Sequence, residues 1–250
     1  MKIALLQINS AWENEAKNCR TASHLLAEAA GARCDVAVLP EMFSTGFTMN
    51  LSALSDGSTT KAFLAEQAKK FAMPILAGVA MKKPGEKLGT NNALFFDCAG
   101  HMITRYAKKR LFPLSGEPDV YRAGKKWVVF TVGDVRASVF ICYDLRFPEL
   151  FRQVSRKVQI IFVIANWPES RMSHWEALLR ARAIENQCYV VGVNRLGKDG
   201  NGIRYAGGSL VVDPMGMTIA QLNSHLKWAT VAIDPALVAK VRECYPFLQK

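Results

Sequence analysis

Apolar residues in this chain follow two spacings. Some runs repeat every second position, others return every three or four, so strands and helices succeed one another from end to end. Residues 2–9 begin as a strand. Asn14 caps a helix reaching about residue 30, with Ala16, Cys19, Ala22, Leu26 and Ala29 on one face and Gly31 as its stop. A second strand over 35–39 ends at Pro40, and a loop over 46–57 follows. Phe63, Leu64, Gln67, Ala68 and Phe71 then set a helix over about 60–71. Strands fall at 74–80, 91–97 and 101–106, with Pro84-Gly85 turning the chain within 82–89. Residues 108–125 are irregular.

Beyond them, 126–132 and 135–141 pair across Gly133-Asp134, and a short helix covers about 148–156. Residues 158–165 are almost all apolar, the mark of a strand covered on both faces. Ser173, with Glu176 three positions on, predicts a capping box opening a helix that ends at Asn186. A strand over 188–193, a loop over 194–202, a hairpin of 207–212 with 217–222 and a strand over 227–233 follow, and Pro235 begins a last helix. Parallel crossovers mixed with antiparallel hairpins exclude a purely doubly wound sheet. They fit an α/β fold of two mixed sheets with helices outside. No linker divides the chain, so residues 1–250 are expected to form a single domain. Two halves repeat faintly, each giving strand, helix, strand and a polar turn, at Pro40-Glu41 and at Asn166-Trp167.

Composition narrows the function classes. Half the residues are apolar and a fifth are charged, as in an ordinary globular protein. No run of about eighteen apolar residues spans a membrane. The opening residues turn polar too soon for a secretion signal, which sets the expectation of a cytoplasmic protein. The 6 cysteines show no CxxC pair and no zinc-like spacing with histidine. Cys19, Cys98 and Cys188 fit apolar patterns as small buried hydrophobes. The net charge of +11 raises a nucleic-acid reading. The lysines and arginines are scattered, however, and no aromatic ladder accompanies them, so a solvated surface is favoured and no nucleic-acid partner is expected.

Cys142 stands apart from the other cysteines. The apolar run 135–141 delivers it, and Tyr143-Asp144-Leu145-Arg146 then turns polar at once, which is how a nucleophile is held at a strand end. Its partners are less evident. Glu41 lies among apolar residues in Leu39-Pro40-Glu41-Met42-Phe43, where a raised pKa would suit a general base, but a surface turn explains it equally well. Lys108 in a basic run is ordinarily solvated. Turned inward it would stabilise an oxyanion, and in an extended run Lys109 would point the other way. Glu117 alone is an ordinary loop acid. None of His24, His101, His174 and His225 lies near a motif that would pair it with Cys142.

Three motifs in order, Leu39-Pro40-Glu41, Tyr106-x-Lys108-x-x-Leu111-Phe112 and Ile141 to Glu149, resemble the nitrilase, or carbon-nitrogen hydrolase, superfamily. The resemblance covers almost the whole chain and is greatest to the omega-amidase branch, which deamidates 2-oxoglutaramate and 2-oxosuccinamate. It implies a four-layer α-β-β-α sandwich that dimerises. It also implies Glu41 as general base, Lys108 as oxyanion stabiliser, Cys142 as nucleophile, and Glu117 as a second glutamate positioning substrate and lysine. The backbone N–H of Tyr143 would share the oxyanion. Arg110 stands where the family usually has histidine. Trp167 and Trp175 are candidate apolar walls. Arg171 either binds a substrate carboxylate or ties its own loop to Glu176 or Asp144. The stretch 181–187 is treated as structural. The implied reaction is hydrolysis of a small primary amide, which requires no metal and no cofactor. N-carbamoyl amino acids or deaminated glutathione are the alternative substrates, and methionine salvage is the implied pathway.

Overall fold

A computed structural model describes residues 1–248. Two six-stranded mixed sheets make up the middle of the molecule. In the first, β1 (Lys2–Leu6), β2 (Val36–Val38) and β3 (Ile75–Met81) run parallel, and β4 (Thr90–Phe96), β5 (Met102–Ala107) and β14 (Trp228–Ala232) add antiparallel edges. In the second, β7 (Val135–Ile141), β8 (Ile160–Ala165) and β9 (Tyr189–Asn194) run parallel, flanked by β6 (Phe130–Val132), β12 (Leu210–Val212) and β13 (Thr218–Gln221).

The two-residue alternation sets the layers. Ile3, Leu5, Ala93 and Phe95 turn inward to the same core as Val139 and Phe162 of the second sheet. Ala4, Leu6, Leu94 and Phe96 turn outward, against Leu25, Leu26 and Ala29 of α1 (Glu15–Gly31) and Leu64 and Ala68 of α2 (Ser58–Phe71). Phe130 joins the sheets: its ring centre is 4.4 Å from that of Phe95 and 6.3 Å from that of Phe162. On the far side Trp175, Leu179 and Ala183 of α5 (Met172–Asn186) cover the second sheet. β8 is therefore buried along its whole length, as its unbroken apolar run required. Each fully buried leucine or phenylalanine here contributes roughly 1.5–3 kcal/mol of transfer energy. Asn14 caps α1 as expected, its side chain accepting the Lys17 N–H at 3.0 Å.

Several local expectations are corrected. α5 begins one residue before Ser173, after a 3-10 turn over Glu169–Arg171, with Arg171 at the cap position and no side-chain cap. The Ser173–Glu176 box does not form, and Glu176 instead accepts from Gln221. The expected loop over 194–202 contains β10 (Leu196–Lys198), which pairs with β11 (Arg204–Ala206) as a hairpin. The helix after the Cys142 turn, α4 (Pro148–Arg152), stops at Arg152, and β6 begins only at Phe130. Cys188 is buried, but Cys98 is exposed in a hairpin turn. Among the described residues no helix is long and apolar enough to cross a membrane.

Candidate active site

The two polar turns of the faint repeat meet across the seam between the sheets. Glu41 follows β2, and Asn166 follows β8. The Asn166 backbone N–H donates to Glu41 Oε2 at 2.9 Å. Within the first sheet the turn bearing Glu41 packs directly on Gly78 of β3. A Cβ there would lie 2.4 Å from Glu41 Cα and 2.6 Å from the Pro40 carbonyl oxygen.

Lys108 leaves the end of β5 and turns fully inward, while Lys109 is half-buried. Its Nζ donates to Glu41 Oε1 at 2.8 Å and to both oxygens of Glu117, at 3.1 and 2.9 Å. Glu117 opens α3 (Glu117–Val120) and also accepts the Phe112 N–H at 2.6 Å. All three side chains are excluded from solvent. Burial alone would push Glu41 up, as its apolar neighbours suggested. The Lys108 charge and the hydrogen bonds from Lys108, Asn91 and Asn166 outweigh it and hold this carboxyl below its ordinary value. The expectation of a raised Glu41 is thus reversed: it is ionised at neutral pH. Burial would push Lys108 down, but the Glu117 and Glu41 carboxylates outweigh it and raise its pKa.

Cys142 directly follows β7 and starts a 3-10 turn over Cys142–Arg146. Its φ is +46°, a left-handed conformation that costs a non-glycine residue about 1–2 kcal/mol. Asp144 holds this turn. Its carboxylate accepts the Ile141 N–H at 3.0 Å, the Arg110 N–H at 2.8 Å and the Tyr106 hydroxyl at 2.7 Å. Burial nevertheless pushes the Asp144 pKa up to about 6. The Cys142 thiol faces the Asn166 carbonyl oxygen at 3.8 Å. Burial and the Glu41 charge push its pKa well above the ordinary thiol value, against the opposing pull of Lys108. The resting sulfur is therefore a thiol rather than a thiolate.

Cys142 opens onto a cavity of about 930 Å³. Tyr143, Trp167 and Arg171 line it, together with Arg146, Phe47 and Tyr205. Tyr143 stacks edge-on against Phe112 and Phe147. The Arg171 guanidinium sits 5.4 Å from the centre of the Phe112 ring. Neither tie-down expected for Arg171 is made, since Glu176 binds Gln221 and Asp144 is occupied by Ile141, Arg110 and Tyr106. Two expected pocket residues lie elsewhere. Trp175 is wholly buried behind Trp167, ring centres 5.5 Å apart, and donates to the Gly208 carbonyl, so it supports the wall without forming it. Glu117 lies against Lys108, and like Glu41 and Lys108 it is behind the cavity lining rather than in it. The Arg110 side chain pairs with exposed Glu149 and lies over the Phe147 ring, while its backbone N–H holds Asp144.

Sequence reasoning missed Asn91, whose side-chain amide donates to Glu41 at 2.7 Å and to Glu117 at 2.9 Å. Two asparagines in succession inside an otherwise apolar strand were the available signal. Among the described residues no group of three or more His, Cys, Asp or Glu side chains is arranged to hold a metal. The arrangement can pair an ionised carboxylate with a protonated thiol beside an ammonium in a water-poor pocket. Such a set can add sulfur to a carbonyl carbon and stabilise the resulting oxyanion.

A family model described as carbon-nitrogen hydrolase matches residues 2–243. The 2-oxoglutaramate amidase of Bacillus subtilis (strain 168) is 36% identical over 249 residues, covering 98% of this chain and 95% of that protein. Omega-amidase YafV of Escherichia coli (strain K12) is 36% identical over 251 residues, covering 100% and 96%. XC1258 from Xanthomonas campestris, a CN-hydrolase superfamily protein solved with an arsenic adduct in its active site, superposes with a TM-score of 0.93 at 33% identity, covering 99% of this chain and 96% of that one. Nit3 of Saccharomyces cerevisiae, a member of the nitrilase superfamily, superposes with a TM-score of 0.91 at 24% identity, covering 100% and 96%. The four-layer sandwich expected from the motifs is the fold of this chain.

Proposed function

Because the chain belongs to the carbon-nitrogen hydrolase family, we propose that it is an omega-amidase. It hydrolyses the primary amide of short 2-oxo dicarboxylic acid monoamides, 2-oxoglutaramate and 2-oxosuccinamate, to the 2-oxo acid and ammonia. The observation that carries this reading is the buried Glu41–Lys108 pair, 2.8 Å apart, beside a thiol that opens onto a cavity lined by Arg171.

In this reading Glu41 takes the Cys142 proton as sulfur attacks the amide carbon. The raised thiol pKa argues for transfer during attack rather than before it. The electron pair of the carbonyl moves onto oxygen, held by the Lys108 ammonium and the backbone N–H of Tyr143. As the tetrahedral centre collapses, Glu41 returns the proton to the leaving nitrogen and ammonia departs. A thioester on Cys142 remains. Glu41 then removes a proton from water, the resulting hydroxide displaces sulfur, and the thiol is restored with release of the acid. Glu117 keeps Lys108 in place, and Arg171 receives the free carboxylate of the substrate in a bidentate fork.

The 930 Å³ cavity lies toward the upper end of the range that holds drug-sized ligands, roughly 300–1,000 Å³. That favours one second reading, a related amidase for a longer amide such as deaminated glutathione or an N-carbamoyl amino acid. Measuring the acid released from these compounds, from 2-oxoglutaramate, from 2-oxosuccinamate and from simple amides decides between the two, since deaminated glutathione would release a peptide amine rather than ammonia. The 2-oxo amides should give the highest kcat/KM, and preference for any other compound overturns the assignment. We also take the enzyme to be a single-domain cytoplasmic homodimer that recovers 2-oxo amides formed when glutamine or asparagine donates its amino group, as in methionine salvage. Sedimentation of the purified protein tests the dimer.

A further inference from the structure

Four atoms in the buried cluster close a ring of alternating donors and acceptors. Lys108 Nζ lies 2.8 Å from Glu41 Oε1 and 3.1 Å from Glu117 Oε1, and Asn91 Nδ2 lies 2.7 and 2.9 Å from the same two oxygens. All four side chains are fully buried. Two carboxyl groups that crowd one ammonium repel each other, and low dielectric strengthens that repulsion. Among the described residues, Asn91 is the other side chain that donates to both. Its two N–H bonds are directed one to each glutamate without adding charge to the cluster. The opposite amide rotamer would aim Oδ1 at two carboxyl oxygens, so the electrostatics fix the orientation. The main chain fixes the place: the Lys108 N–H donates to the Asn91 carbonyl at 2.9 Å. Both amide N–H groups of Asn91 are taken by Glu41 and Glu117, which leaves it no donor for substrate.

We propose that Asn91 is a positioning residue, a neutral clamp that holds the two glutamates at a fixed spacing on Lys108 so that Glu41 can exchange its proton with Cys142. This rests on the reading of Glu41 as the base. Losing the amide removes one of the donors that keep Glu41 ionised and leaves the carboxyl free to swing. Asn91→Asp keeps the size of the side chain. Its acid form offers a single O–H, and its ionised form adds a third negative charge.

The test is the pH dependence of kcat and KM for wild type, Asn91→Ala and Asn91→Asp with the fastest 2-oxo amide. It is paired with the rate of Cys142 alkylation by iodoacetamide and with the folded fraction from circular dichroism. For Asn91→Ala, kcat per folded molecule should fall by about tenfold or more, with KM changed by less than about threefold. The acid limb should rise by about one pH unit, the equivalent of a tenfold change in proton affinity. For Asn91→Asp, activity and alkylation should fall as pH rises through neutrality, where the wild-type rates do not fall. Should the alanine variant not fold, the aspartate variant decides alone. An Asn91→Ala profile that superimposes on wild type, or an Asn91→Asp enzyme with the wild-type rate at neutral pH, overturns the proposal. Failure of the underlying reading gives a different result, turnover retained in Glu41→Gln.

Discussion

Asn166 grips Glu41 at both ends. Its backbone N–H and its side-chain amide donate to Glu41 Oε2 at 2.9 and 3.2 Å, and the same amide donates to the Glu41 backbone oxygen at 2.8 Å. The carbonyl of Asn166 meanwhile faces the Cys142 thiol. One residue thus holds Glu41 and touches Cys142. Replacing Glu41 by glutamine puts an amide N–H among donors from Lys108, Asn91 and Asn166. Glu41→Gln should lower kcat/KM by roughly 10²–10⁴-fold, measured as ammonia release. Activity near wild type would remove Glu41 as the base.

Cys142→Ala should release no ammonia and form no thioester detectable by mass spectrometry. The left-handed backbone at this position adds a second expectation. Cys142→Gly, equally inactive, should be more stable than Cys142→Ala by about 1 kcal/mol, since glycine carries no penalty at positive φ. Denaturant unfolding of the two variants measures the difference, and an alanine variant as stable as the glycine one would show that the turn is unstrained.

The pKa shifts set the pH behaviour. Glu41 has its pKa depressed, so the stability it contributes is present above the ordinary carboxylate value and is lost only as pH falls through the lower folded value. Its protonation should therefore impose no acid limb on kcat/KM near neutrality. Cys142 is shifted the other way. The free enzyme should show no thiolate absorbance at neutral pH that Cys142→Ala abolishes. An absorbance of that kind would mean a preformed thiolate and a different order of proton transfer.

Arg171→Ala should weaken kcat/KM for 2-oxoglutaramate by roughly tenfold to a hundredfold, the loss of a charge-assisted hydrogen bond. A simple amide without a carboxylate should be affected far less. Equal losses on both substrates would assign Arg171 to the architecture of the wall.

Gly78→Ala tests the packing of the turn that bears Glu41. The new Cβ would fall 2.7 Å from the Met42 nitrogen as well as against Glu41 and Pro40, all backbone atoms that cannot swing aside. Unfolding free energy should drop by about 1–3 kcal/mol, and turnover should fall with it. A fully stable and active Gly78→Ala would show that the turn bearing Glu41 can shift freely.

The sandwich was legible because alternation and turn residues are local, and Ile3 and Leu5 against Ala4 and Leu6 already assign two faces. The convergence of Glu41, Lys108, Glu117 and Cys142 came from resemblance, since no local pattern brings residues 67 positions apart within 2.8 Å. The charge state of Glu41 was misread for the same reason: its apolar neighbours are local, and the ammonium that outweighs them is not. Ser173 and Glu176 satisfied a helix-start pattern, but the 3-10 turn after Pro168 carries the chain into the helix before Ser173 is reached. Trp175 has the composition of a pocket wall and the position of a core residue, a distinction that depends on which side of Trp167 it falls.

The two sheets divide the chemistry between them. Glu41, Asn91 and Lys108 hang from one, Cys142 and Asn166 from the other. Cys142 and the groups expected to act on it therefore meet only where the two sheets pack on their shared core, so turnover should be lost with that packing.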